Sequence, residues 1–133
     1  MRRLNELLAG IALLFGIGCG SDVTDPLPKG AIAMDPPPVI YGVYWGEISG
    51  CTGLGVSMDG IRFYYVPGDG GFSSGSSADV VGVWQPGNNS ITLAEYVKDN
   101  PLVVRHEMLH AILRRTDHPP EYFVDRCGVL VTH

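Results

Sequence analysis

NPLVVRHEMLHAILRR, residues 100–115 of this 133-residue chain, predicts one long helix around which the rest of the domain can pack. Asn100 offers a side-chain N-cap, and Pro101 suits the first helical position, where an N–H would have no intrahelical partner. Arg114 and Arg115 fall in the predicted last turn, where cations complement the helix dipole. The predicted apolar stripe consists of residues that recur at helical spacing: Leu102, Val103, His106, Leu109, His110 and Leu113.

Within this helix, His106, Glu107 and His110 form a pattern that suits a metal centre. Residues i and i+4 lie on one face of a helix, so both imidazoles can reach a single ion. The carboxylate between them points about a quarter of a turn aside, where it can contact a metal-bound water. Zinc lowers the pKa of that water, and the carboxylate can take its proton during attack on a carbonyl. The alternative is a pair of structural histidines, although polar rings are costly to bury without partners.

The residues before the helix predict strands. Residues 39–48 (VIYGVYWGEI) are rich in β-branched and aromatic residues, and residues 60–68 (GIRFYYVPG) alternate apolar and polar side chains. Residues 79–85 and 90–95 (SITLAE) predict two more strands, which the turn PGNN joins as a hairpin. The glycines and serines of residues 68–77 predict a flexible loop.

After the long helix, a short helix is predicted from Pro119 to about Arg126, ending at Gly128. The order of elements predicts an α+β domain, in which a sheet of about three or four strands precedes and packs against the long helix. Trp45 and Trp84 are predicted to lie in the core or at its rim.

The N-terminal part of the chain predicts export. A short basic region precedes an apolar run at residues 7–17, which is too short to span a membrane because a spanning helix needs roughly 20 apolar residues. Residues 1–18 resemble a bacterial lipoprotein signal peptide, followed by Cys19 as the lipidated residue, although Gly16 stands where a branched aliphatic residue is usual. The alternative is an ordinary cleaved secretory signal. We therefore expect an envelope protein that is held to a bacterial membrane by lipid alone and faces the periplasm or the exterior.

Residues 19–38 predict the lipidated cysteine and a flexible tether, because prolines are frequent there and apolar residues are few. The folded domain is then expected at residues 39–133. In an oxidising compartment, Cys51 and Cys127 predict a disulfide; the alternative is a metal site, although neither has a second cysteine nearby. The net charge of −5 and the lack of an extended basic cluster argue against a nucleic-acid partner.

The sequence HEMLH at 106–110 resembles the His-Glu-x-x-His motif of the zincin metallopeptidases. The resemblance implies that His106 and His110 bind one zinc ion and that Glu107 is the general base. It also implies a small sheet beside the helix, with an edge strand to which an extended peptide or protein substrate could add. The strand predicted at residues 90–95 is the nearest candidate for that edge strand.

The third zinc ligand departs from the known zincin subfamilies. Metzincins have a glycine and then a further ligand where this chain has Leu113 and Thr116, and no methionine follows Met108. His118, eight residues after His110 and directly before two prolines, is the preferred third ligand. The alternatives are Asp117, Glu121, which would stand for the glutamate that gluzincins take from a later helix, and His133.

Two tyrosines and Asp117 are candidates for further roles in a zinc-dependent site. Tyr122 is a candidate for stabilising the oxyanion of the transition state, with Tyr96 as an alternative, although tyrosines more often serve in packing. Asp117 could instead cap the short helix or orient a ligating histidine. We expect a zinc-dependent peptidase that acts through a metal-activated water. The alternative is a non-enzymatic envelope lipoprotein or binding module with a structural zinc, and the motif also permits hydrolysis of a non-peptide amide.

Overall fold

The computed structural model describes residues 25–131, and these residues form a mixed α+β fold, as predicted. The signal peptide predicted at residues 1–18, the lipidation site Cys19 and the ligand candidate His133 lie outside the described residues. None of the helices within residues 25–131 has the length and apolar character needed to cross a membrane.

Two sheets, two long helices and several short helical turns make up the described part of the chain. The strands are β1 (Ile32–Ala33), β2 (Arg62–Val66), β3 (Phe72–Ser74), β4 (Ser77–Val80), β5 (Gly82–Gln85) and β6 (Ser90–Ala94). The helices are α1 (Ile40–Thr52) and α2 (Pro101–Leu113), with a short C-terminal helix (Glu121–Arg126) and 3-10 turns at Glu95–Val97 and Gly128–Leu130.

The long helix predicted from residues 100–115 is confirmed as α2. The Asn100 side chain accepts a hydrogen bond from the backbone N–H of Leu102 at 3.0 Å, and Pro101 opens the first turn. The predicted apolar stripe is only partly right, because Leu102 is 40% exposed. The helix is buried over most of its surface, since α1, the sheet and the C-terminal segment pack around it. Its buried residues are Val103, Val104, Glu107, Met108, Leu109, His110, Ala111 and Ile112.

The four-stranded sheet has the order β1-β2-β6-β5, which places β6 in the interior. β5 and β6 form the predicted antiparallel hairpin, whereas β2 and β6 pair in parallel. The interpretation of residues 90–95 as the edge strand is therefore wrong, and every residue of β6 is buried. α2 packs against both β5 and β6, so β5 is the edge strand beside the helix of the two histidines.

The segment 39–48, predicted as a strand, is helical instead, because residues 40–48 belong to α1 and Val39 is its N-cap residue. The buried face of this helix follows a helical spacing: Tyr41, Trp45, Ile48 and Thr52. The strand prediction was wrong because packing against α2 and the sheet outweighs the weak preference of these residue types for a strand. Trp45 lies in the core, and so does Trp84 of β5, with 5% and 4% of their surfaces exposed. The predicted core position of both tryptophans is thus confirmed.

The segment predicted as a tether folds onto the sheet from residue 25 onwards. β1 pairs antiparallel with β2, and the carbonyl of Pro26 accepts a hydrogen bond from the Gln85 side chain at 2.9 Å. Pro28 is buried. The tether prediction is therefore wrong for residues 25–38, because an extended proline-containing segment can pair at a sheet edge through its backbone without a hydrophobic core of its own.

Part of the loop predicted at residues 68–77 is also ordered. β3 and β4 pair antiparallel as a separate two-stranded sheet, and Phe72 packs into the core with 7% of its surface exposed. The loop prediction is therefore wrong from Phe72 onwards, because one buried aromatic side chain anchors a glycine-rich hairpin. The strand predicted at residues 79–85 is divided at Val81 between β4 and β5.

The predicted short helix is present as Glu121–Arg126, with π-helical hydrogen bonds. Gly128 begins a 3-10 turn and does not end this helix. The predicted disulfide between Cys51 and Cys127 is formed, with the two Cα atoms 5.4 Å apart. It joins the end of α1 to the end of the C-terminal helix.

Candidate metal centre

Three histidine side chains converge beside α2. His106 and His110 lie one turn apart on the helix, and their Nε2 atoms are 3.2 Å apart. His118 comes from the segment after the helix, and its Nε2 atom lies 3.0 Å from that of His106. Each of the three rings offers a nitrogen within 4.8 Å of the others. The structure therefore brings the two histidines of the motif together with the preferred third candidate.

His118 reaches the helix because the chain reverses directly after Leu113. Arg114 adopts a left-handed conformation with φ of 53°, which ends α2. The N–H of Arg115 donates to the His110 carbonyl at 3.2 Å and closes the turn. Both arginines thus follow the helix, so the prediction that they lie in its last turn is wrong.

The ring of His110 is oriented by a hydrogen bond on its far side. Its Nδ1 lies 2.8 Å from the carbonyl oxygen of Arg115, which can only accept, so Nδ1 carries the proton and Nε2 presents its lone pair to the cluster. Burial lowers the pKa of His110 to about 4; the Arg115 carbonyl opposes this shift, and His106 and His118 reinforce it. The neutral ring that metal binding requires is therefore favoured.

Two of the nitrogen separations in the cluster, both measured from His106, suit a tetrahedral metal ion. Two ligands with metal–nitrogen bonds of about 2.0–2.1 Å lie about 3.3 Å apart in a tetrahedral sphere. The Nε2 separations from His106 are 3.2 Å to His110 and 3.0 Å to His118. The three histidines could therefore hold a metal ion.

Glu107 is buried in the same cleft, with 7% of its surface exposed. Burial raises the pKa of its carboxyl to about 8, and a hydrogen bond from the Trp84 backbone N–H opposes part of this shift. A cation at the three histidines would lower this pKa, because a nearby positive charge favours the carboxylate. The side chain is enclosed between α2 and β5, where Gly82 stands directly against it.

The cleft lies along the edge of the sheet and has a volume of about 210 Å³. Besides the three histidines and Glu107, its lining residues are Gly82, Val83, Trp84 and Thr116. A second hollow of about 310 Å³ lies beside Gln85 and the β3–β4 hairpin, and Val83, Trp84 and Thr116 line both hollows.

Phe123 of the C-terminal helix forms an apolar floor beneath the cluster. Its ring centroid lies 5.1 Å from that of His106, 4.8 Å from that of His110 and 4.7 Å from that of His118. The side chain is 1% exposed, as expected for a core residue. Its contact with all three imidazoles was not predicted, and neither was the role of Gly82, because no local pattern separates them from ordinary packing residues.

Replacing Phe123 with leucine is expected to weaken metal binding about 10-fold while the domain stays folded, because the three imidazoles lose part of the surface that orients them. Competition titration with a metal chelator measures the affinity. Phe63→Leu is the matched control, since Phe63 is equally buried but packs against Tyr41. Equal loss of affinity in both variants would contradict a specific role for Phe123.

The other described ligand candidates make different contacts. Asp117 accepts two hydrogen bonds from the Arg115 guanidinium at 2.8 and 2.6 Å. That guanidinium lowers the pKa of Asp117. Glu121 lies 3.6 Å from the guanidinium of Arg126. The three-histidine cluster includes neither carboxylate.

The two tyrosine candidates also lie elsewhere. Tyr122 is half-buried, with the Arg126 guanidinium 5.6 Å from its ring centroid, and Tyr96 is 54% exposed. Among the described residues, neither tyrosine lines the cleft that contains the three histidines. The structure therefore does not bring Tyr122 or Tyr96 together with the other predicted site residues.

Comparison of the chain with protein-family models, with curated proteins and with solved structures gave no match.

Proposed function

We propose that the protein is a zinc-dependent peptidase that hydrolyses peptide bonds at the cell envelope. The observation that carries this proposal is the convergence of His106, His110 and His118 in a cleft that also contains the buried carboxyl of Glu107. Three imidazole ligands beside a carboxyl group are a donor set that suits catalytic zinc.

The number of protein ligands favours catalysis over a purely structural zinc site. Structural zinc is enclosed by four protein ligands, whereas catalytic zinc keeps one position for water or substrate. Within residues 25–131, no fourth His, Cys, Asp or Glu joins the cluster, and Cys127 is bonded to Cys51. This favours an enzyme over an envelope lipoprotein whose zinc only stabilises the fold.

We infer that Glu107 is the group that moves protons. A zinc ion bound by the histidines would lower the pKa of a coordinated water and polarise the substrate carbonyl. Glu107 then accepts a proton from the attacking water and delivers it to the leaving amine. The hydrogen bond from His110 to the Arg115 carbonyl holds the ligating ring in its orientation throughout.

The outer edge of β5 supports a peptide as the substrate. In an antiparallel pair, the backbone groups of successive residues alternately face the partner strand and the opposite side. The Ala94 N–H donates to the Val81 carbonyl at 2.8 Å, so the backbone groups of Gly82 and Trp84 face away from β6. The Trp84 N–H is used by Glu107, so the groups proposed to pair with a peptide are those of Gly82 and the Trp84 carbonyl. An extended peptide could pair with this edge by main-chain hydrogen bonds. We therefore propose β5, and not β6, as the edge strand that binds an extended peptide.

We propose export and lipid attachment at Cys19 for the N-terminal part of the chain. The Cys51–Cys127 disulfide supports an oxidising compartment outside the cytosol. Contact with the membrane would then be made by the lipid alone.

Zinc titration tests the metal centre directly. The purified protein is expected to bind one zinc ion per chain, and His118→Ala is expected to weaken that binding by about 100-fold or more, because loss of a ligand exceeds the 10–100-fold effect of losing its supporting contacts. Asp117→Ala is the matched control one residue earlier. It should change the affinity far less than His118→Ala, because this carboxylate hydrogen-bonds the Arg115 guanidinium and acts on His110 only through its charge.

Activity is tested on the same protein with a broad peptide library. Removal of the metal by a chelator should abolish cleavage, and added zinc should restore it. If the wild type binds no zinc, the metal centre and the peptidase are both wrong. If it binds zinc tightly but cleaves no peptide in the library, the non-enzymatic alternative with a structural zinc is favoured instead.

A further inference from the structure

Gly82 of β5 stands so close to the side chain of Glu107 that a larger residue would force that side chain to shift. A Cβ atom placed on Gly82 would lie 2.8 Å from Oε1, 2.9 Å from Cγ and 3.1 Å from Cδ of Glu107. The distances to Cγ and Cδ are shorter than the optimal separation of about 3.5–4.0 Å between carbon atoms. Gly82 is not among the residues with positive φ, so its backbone conformation does not require glycine. A side chain at this position would instead have to displace the neighbouring Glu107 carboxyl group.

The same strand also holds the carboxyl group by a hydrogen bond. The backbone N–H of Trp84 donates to Glu107. Gly82 and Trp84 are two residues apart, so their backbone groups face the same edge of β5 and their side-chain positions face the same side of the sheet. β5 thus contacts Glu107 at two points, one steric and one polar.

We propose that β5 is the positioning element for Glu107, with Gly82 providing the space for its carboxyl group and the Trp84 N–H fixing one oxygen. This inference rests on the proposed function, because it takes Glu107 as the base. As a consequence, β5 would align an extended peptide and would also fix the carboxyl group of Glu107. The scissile peptide bond would then keep a constant position relative to the base.

Gly82→Ala tests the catalytic part of this proposal. The variant is expected to bind one zinc ion per chain as the wild type does, because the histidines are untouched. Its kcat for peptide cleavage should fall about 10- to 100-fold with little change in KM, because the displaced carboxyl no longer reaches the attacking water correctly. Gly70→Ala is the matched control, since a Cβ at Gly70 would meet nothing within 4 Å. Unchanged kcat in Gly82→Ala, with cleavage intact in the wild type, would overturn the proposal and leave the proposed function standing.

A thermal cycle tests the contact without any activity measurement. Gly82→Ala should lower the melting temperature by about 5 °C or more in the wild-type background, because overpacking strains the site. In the Glu107→Ala background, the same substitution should have almost no effect, because the obstructing carboxyl group is gone. If Gly82→Ala alone fails to fold and the double variant folds, the contact is supported. Equal losses in both backgrounds, or two unfolded variants, would show that the glycine serves the sheet and would overturn the proposal. The cycle remains decisive even if the wild type cleaves no peptide.

Discussion

Replacing Glu107 with glutamine is expected to lower kcat/KM for peptide cleavage by about 1000-fold, the middle of the range that a general base contributes. An amide cannot accept the proton of the attacking water. Glutamine has the same shape, however, and its carbonyl oxygen can still accept the hydrogen bond from the Trp84 N–H. The variant should therefore keep one zinc ion per chain and a normal melting temperature. Steady-state kinetics and metal analysis on the same preparation measure these outcomes.

Glu121→Gln is the matched control for this substitution. Glu121 is exposed and lies near Arg126, and it was an alternative third ligand on sequence grounds. If Glu121 takes no part in the centre, its glutamine variant should retain both zinc and activity. Full activity in Glu107→Gln would contradict the role of Glu107 as base. Loss of zinc in Glu121→Gln would show that the ligand set is not the three histidines.

The helix α2 and its pair of histidines could be predicted from sequence because the patterns that indicate them lie within a few neighbouring residues. The N-cap at Asn100 and the proline after it act within one turn of helix, and His106 and His110 meet through the geometry of that helix alone. His118 could be predicted as a third ligand because few other residues able to bind a metal follow the helix. The prediction of a disulfide from Cys51 and Cys127 needed only an even number of available cysteines and an oxidising compartment.

The sequence-based predictions that were wrong concern segments whose structure depends on contacts between distant parts of the chain. β6 pairs in parallel with β2, almost thirty residues earlier, so no property of residues 90–95 shows that they form an interior strand. Residues 39–48 become helical because their buried face packs against the sheet and α2, which their β-like composition conceals. The contacts that Gly82 makes with Glu107 and Phe123 makes with the three imidazoles also join distant parts of the chain, so no local pattern predicts them.

The candidate centre is assembled from three segments that differ in how firmly they are held. α2 is buried on most of its surface, and β5 pairs along its length with β6. Phe123 belongs instead to a helix of six residues, Glu121–Arg126. Helices this short have little stability of their own. The disulfide at Cys127 directly after that helix is therefore a main constraint on the floor of the metal centre.

Removing the disulfide by Cys51→Ala together with Cys127→Ala is expected to destabilise the protein substantially. The bond closes a loop with a sequence separation of 76 residues, for which the chain-entropy model gives about 4.5 kcal/mol. A loss of that size should lower the melting temperature by about 15 °C or more in a domain of this length. Zinc affinity should also fall, because the helix that carries Phe123 loses its covalent link to α1. Thermal unfolding with and without zinc measures both effects.

A reducing agent separates the bond itself from the loss of two buried side chains. Reductant should lower the melting temperature of the wild type towards that of the double variant, and it should leave the double variant unchanged. Added zinc should raise the melting temperature of both proteins, since a ligand that binds only the folded state stabilises it. The increase should be smaller in the double variant if the disulfide supports the metal centre through Phe123. An equal increase in both would mean that the bond stabilises the fold without shaping the site, and an unchanged melting temperature in the double variant would contradict its stabilising role altogether.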